Sequence, residues 1–190
     1  MASLVLSGDT SGSITVSAPA ISGSNTQTLV ATTGTLAPVV SGTAVASTSG
    51  TSIDFTSIPS WVKRITVMLS GVSTSGTSNI LVQLGSTTFT TTGYGSSAAY
   101  TGSSTAGANA TTGFVVALTD AATVSFGIAT ITLVSSNTWV CGSTIGRSTS
   151  AFSIVGGGGV SLSGTLDRVR ITTVNGTDTF DAGTINILYE

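Results

Sequence analysis

Two aspartates three residues apart, Asp178 and Asp181 in the stretch GTDTFDAG, form the closest pair of carboxylates in the chain. Paired carboxylates can hydrolyse glycosides when held at a fixed separation, and loop oxygens of this kind bind calcium. Neither signal is specific at this spacing, and a pair of aspartates capping one loop is the simpler account. The other acids, Asp9, Asp54, Asp120, Asp167 and Glu190, are scattered. Histidine is absent, which removes Ser-His-Asp and Cys-His machinery and the commonest metal ligand. The one cysteine, Cys141 in NTWVCGST, forbids an intramolecular disulfide and has no histidine to activate it, so it reads as a buried structural thiol. GYGSS and GGGG lack the lysine and the following helix of a phosphate-binding loop. The expectation is a non-enzyme with no catalytic residues, no cofactor and no metal site.

Binding is the better use of these residues. Tyr94 and Tyr100 lie in a glycine- and serine-rich stretch, 88–109, that reads as a long exposed loop or hairpin. Aromatic rings among small residues supply contact area and stack on sugar faces, so the two tyrosines are candidate receptor contacts. Trp61 and Trp139 read instead as core or subunit-interface residues.

The composition limits the partners. The chain has 31 Ser, 36 Thr and 24 Gly among 190 residues, only 6% charged residues, and a net charge of −2. Its polar coat is therefore hydroxyl and backbone rather than ionic, as on secreted or virion-surface β-proteins. Five basic residues are too few to neutralise a phosphate backbone, which argues against nucleic acid. With 40% hydrophobic residues and little net charge the chain is not of the disordered class. No apolar run is long enough for a membrane span, and MASLVLSGDT lacks the basic region of a signal peptide, so export by that route is not expected.

Short alternations of apolar and polar residues, bounded by Gly, Ser, Asn and Pro, predict strands along the whole chain. Residues 1–48 form a first unit whose apolar residues, including Leu4, Leu6, Ile14, Val16, Leu29 and Leu36, are too sparse to close a core. This segment is expected to anchor or trimerise, either on copies of itself or on another protein. SGTAVASTSGTS, residues 41–52, reads as a flexible linker. Residues 49–190 follow with about eight strands and no capped helical period. The expected fold is all-β, an antiparallel β-sandwich or jelly roll preceded by an extended N-terminal β-segment. AFSIVGGGGVSLSG is expected to hold two short strands around its glycine run.

The few bases are clustered. WVKRITVML and LDRVRITTV share a pattern, bases followed by Ile-Thr, which suggests that Arg64, Arg168 and Arg170 sit on comparable strands of one sheet, and with Lys63 these are the candidate interface charges. Local pairing with Asp54 and Asp167 is the simpler reading, and contact with a neighbouring subunit is the sharper one.

SGDTSGSITVSAPAISGSNTQTLVATTGTL resembles the N-terminal segment of many tailed-bacteriophage structural proteins. IDFTSIPSWVKRITVMLSGVSTSGTSNILVQLGS and GVSLSGTLDRVRITTVNGTDTFDAGTINILYE are similar to small phage virion proteins of the fibre or appendage type. The resemblance implies a homotrimer on the virion surface, made in the host cytoplasm. Its N-terminal segment would attach to other virion proteins of the capsid, tail or neck, and its β-sandwich would face the host surface, including host glycan. A capsid decoration (cement) protein that stabilises the head shell is the alternative, and a glycan-degrading virion enzyme a remote third.

Overall fold

The structure, a computed structural model, describes residues 3–7, 11–17, 37–101, 106–121, 123–148 and 152–190. The chain divides into two compact units, 1–36 and 37–190. In the first, β1 (Ser3–Ser7) and β2 (Ser13–Ser17) pair antiparallel, with Leu4 opposite Val16 and Leu6 opposite Ile14. Leu29 and Leu36 lie outside the described residues.

The second unit is all-β, with no helix among the described residues. It begins with β3 (Val40–Ser41), β4 (Val45–Ala46), β5 (Ser52–Thr56), β6 (Arg64–Thr74), β7 (Ile80–Ser86) and β8 (Thr88–Phe89). It continues with β9 (Gly95–Thr101), β10 (Gly107–Ala110), β11 (Phe114–Ala117), β12 (Ser125–Ser135) and β13 (Thr138–Arg147). The last strands are β14 (Ser153–Ser161), β15 (Arg168–Thr173) and β16 (Phe180–Tyr189). Nine of these strands form one sheet in the order β10-β9-β14-β13-β12-β6-β16-β3, with β4 also paired to β16. Five form the other, in the order β11-β7-β15-β5, with β8 paired to β7. Every pairing is antiparallel. The order includes the meander β12-β13-β14, so it does not by itself define a jelly roll.

The two sheets face each other across one core. Alternation places Ile65, Val67 and Leu69 of β6 and Ile131 of β12 on the inner face of the larger sheet, while Val82, Leu84, Val169 and Ile171 supply the smaller. β11 packs directly on β9, β13 and β14. That approach explains half of the glycine run. A Cβ on Gly156 would lie 2.7 Å from Ser143 Oγ and 2.8 Å from the Val115 carbonyl oxygen, and one on Gly158 would lie 3.0 Å from Phe114 Cδ1. The glycine run therefore does not separate two strands. β14 passes straight through it, because its inward glycines leave the space that β11 fills.

Two further expectations change. Residues 41–52 are not a free linker: β3 and β4 pair with β16, Ser47 N–H donates to the Gly183 carbonyl at 2.9 Å, and Ser47 is fully buried. The boundary accordingly falls after residue 36 rather than 48. Arg64 and the Arg168/Arg170 pair do not share a sheet, since β6 belongs to the larger and β15 to the smaller.

At Gly71 β6 carries an extra residue against both of its neighbours, breaking register with β12 and β16. Gly71 and the facing Gly183 have φ of 69° and 93°, and a Cβ on Gly183 would run into the Gly71 and Ser70 carbonyl oxygens. Gly183→Ala is expected to lower unfolding stability by about 2–4 kcal/mol through backbone strain plus overpacking. A shift of the urea midpoint at unchanged slope checks it.

Candidate functional site

The hairpin of β1 and β2 carries the clearest unpartnered apolar surface. Directly opposed residues share a face, so Leu4, Leu6, Ile14 and Val16 form one apolar cluster. Each of the four is more than half exposed. A two-stranded hairpin with no third layer is marginal in water, and an exposed cluster of this kind marks a contact surface. These are four of the six residues that the sequence assigns to anchoring.

A second surface is the outer face of the nine-stranded sheet. β9, β10, β12 and β14 contain no charged residue, and β13 contains only Arg147 at its end. Phe126, Ile128, Val134, Val140 and Val155 stand on this face at 43–60% exposure. Composition hints at it through the long charge-free runs, but only the strand order brings these residues onto one surface.

Charge sits at strand ends of this sheet, at Arg64, Arg147 and Asp181, and on the smaller sheet. On the outer face of the smaller sheet, Arg170 and Asp54 are cross-strand neighbours joined by two hydrogen bonds of 2.7 Å. Arg168 binds Asp167 at 2.7 Å and 3.1 Å, which holds the Asp167 carboxyl below its ordinary value. The Arg170 guanidinium lies 4.0 Å from the centre of the Phe89 ring. The sequence pairing of these bases with Asp54 and Asp167 is thus what the structure contains. Arg64 pairs with Glu190 instead, and the Lys63 N–H donates to the Glu190 carbonyl at 2.7 Å. Exposed pairs of this type contribute little to stability.

The two candidate receptor tyrosines part company. Tyr94 is a correction: it is 2% exposed, its ring meets Phe114 edge-on at 5.0 Å, and its Oη accepts the Leu84 N–H at 2.7 Å. The stretch 88–109 is largely strand, β8, β9 and the start of β10, and it turns this ring into the core. Tyr100 is half-buried and accepts a hydrogen bond from Arg147 at 2.6 Å, with Phe152 beside it at 5.8 Å. Arg147 also binds Asp120 and Thr123, tying the ends of β9 and β13 to the segment before β12. Trp139 is buried, while Trp61 is partly exposed against Tyr189.

The two aspartates do not act as a pair: Asp178 lies in the loop before β16 and Asp181 on β16 itself. Asp178 accepts from Asn175 Nδ2 at 2.7 Å and from the Ser78 N–H at 2.9 Å, which keep its carboxyl below the ordinary 3.8. Asp181 accepts from the Ser73 hydroxyl. Both carboxylates are engaged by the protein's own donors. Comparisons with protein families, curated proteins and solved structures found no match to this chain.

Burial raises the Tyr94 phenol from its ordinary 10.0 to about 12, against a smaller opposing effect of the Leu84 hydrogen bond. Burial likewise raises the Cys141 thiol from 9.0 to about 12. Both groups stay protonated in the fold where the unfolded chain would ionise, so their contribution is complete below pH 9.0 and is lost as pH rises towards about 12. Denaturant titrations across this range should show stability falling. Cys141→Ala should remove the earlier part of the fall and Tyr94→Phe the later part. At neutral pH, Tyr94→Phe should cost about 1–3 kcal/mol, because the buried Leu84 N–H loses its acceptor.

Proposed function

We propose that the chain is a non-enzymatic structural protein of a tailed-bacteriophage particle. In this reading it is a homotrimeric short fibre or appendage, held on the virion by its N-terminal hairpin and displaying the β-sandwich towards the host surface and its glycans. The observation that carries the reading is the hairpin's apolar face. Among the described residues of their unit, Leu4, Leu6, Ile14 and Val16 have nothing to pack against, so in this reading another protein completes the hairpin. The resemblance of residues 7–36 to phage N-terminal segments supplies the class of that protein, a component of the capsid, tail or neck. The hydroxyl-rich, nearly uncharged composition suits the outside of a particle.

Capsid decoration is the second reading, and the burial of Tyr94 favours it. One of the two residues that pointed to a receptor is a core residue, which leaves Tyr100 as the remaining tyrosine of the pair.

The test is incorporation. The double substitution Leu6→Asp with Ile14→Asp places charge on the hairpin's docking face and changes no residue of the sandwich. It should leave the melting temperature of the sandwich unchanged and remove the protein from purified particles. Wild-type incorporation of this variant would overturn the anchor. Density for the wild-type chain in a reconstruction of the particle separates the readings, since an appendage is confined to tail or neck and a decoration protein is spread over the shell.

A further inference from the structure

The glycine run that admits β11 on the inner face has a second half, and nothing among the described residues explains it. Gly157 and Gly159 point outward, and the nearest atoms to a Cβ at either would be 3.6 Å away, an ordinary contact. Gly142, opposite Gly157, and Gly95, opposite Gly159, would meet nothing within 4 Å. None of these four has a positive φ. Glycine in a strand with neither steric nor conformational need often marks a place where a ligand or another chain approaches closely.

The surroundings show what approaches. Beside the glycines lies a trough of about 570 Å³ whose floor and walls include Ser97, Gly107 and Val155. On the other side of the same face stand Phe126 and Ile128, with Met68 of β6 opposite Ile128. A ridge and a trough thus lie side by side on a charge-free surface of β10, β9, β14, β13 and β12, while two ion pairs sit on the opposite sheet and two, Arg64–Glu190 and Arg147–Asp120, lie at strand ends of this one. We propose that copies of this chain meet through this face, the ridge of one copy entering the glycine-floored trough of the next.

Three considerations select a second copy. Each copy carries both a ridge and a trough, so one copy can meet the next head to tail, and contacts of this kind close into a ring when the rotation allows. Its size fits: the five strands β10, β9, β14, β13 and β12 at about 4.8 Å spacing and about 30 Å of strand length give on the order of 700 Å², so each copy of a ring would bury an area near the roughly 800 Å² per partner of a stable complex. Its chemistry fits as well, because covering it desolvates no charge. A sugar is the poorer occupant, as Phe126 is the one aromatic ring among the large exposed residues of this face. The number of copies rests on the trimeric reading above, whereas the face does not.

Sedimentation of the full chain at micromolar concentration tests the proposal. The wild type should run as a trimer, and Ile128→Glu and Gly157→Arg should each lower the mass about threefold with unchanged circular dichroism. The Gly157 position has room for a side chain in the single copy, so this variant decides the matter if Ile128→Glu fails to fold. Thr56→Glu, on the outer face of the smaller sheet, should keep the wild-type mass. A monomeric wild type overturns the proposal. So does a folded variant that keeps its trimer, a result that would leave the virion reading intact and move assembly to the hairpin. A wild-type dimer dissociated by both variants upholds the face and refutes the three-copy reading instead.

Discussion

Where the Val115 carbonyl comes down on β14, Gly156 and Gly158 present only hydrogen atoms, and this approach sets how closely the two sheets can pack. It also fixes the polar links between them. The Val115 N–H donates to Ser96 Oγ at 2.9 Å, so β11 is tied by hydrogen bond to the sheet it packs against. Phe114, next along β11, meets the Tyr94 ring, whose hydroxyl is bound to β7 at Leu84. A side chain at either inward glycine would lift β11 and disturb this chain of contacts together, because close-packed interiors transmit displacement rather than absorb it.

The distribution of charge is the counterpart of that packing. Four ion pairs occur among the described residues, each with at least one partner substantially exposed to water. They add little to folding free energy, so the sandwich rests on burial of its Ile, Val, Leu and Phe. Charge serves instead to distinguish the surfaces. The smaller sheet presents Asp54, Asp167, Arg168 and Arg170 to solvent, while β10, β9, β14, β13 and β12 of the larger present hydroxyls, glycines and apolar tips, with Arg64 and Glu190 at the ends of β6 and β16. The difference is one of wetting: the first face holds water and the second releases it readily.

Much of this was legible in the sequence, and the failures have physical causes. Period-two alternation identified the strands in β6, β12 and β15, β7 reads as a nearly continuous apolar run, and the sparse apolar residues of the hairpin were recognisable as an open face. The run at 156–159 read as a break because glycine disfavours strands. Its two alternating roles appear only when the neighbours on each face are known. Residues 41–52 read as a linker because two-residue strands carry no period, and the pairing that fixes β3 and β4 comes from β16, far along the chain. Tyr94 read as exposed because its sequence neighbours are small and polar. The similar patterns around Arg64 and Arg168 sent them to one sheet, but strand order is a tertiary property that local pattern does not encode.

The position of β16 has a consequence for how the chain is made. It lies between β6 and the β3–β4 edge, so two early segments are joined only through a strand that is translated last among those described. Until it emerges, β6 has an open edge, and the core on that side has no lid. The sandwich therefore closes late, through contacts between residues far apart in sequence, which is the slow class of folding. During synthesis the unpaired edge of β6 is the segment most exposed to misassociation. The near-absence of charge along β6 beyond Arg64 leaves little electrostatic repulsion to prevent it.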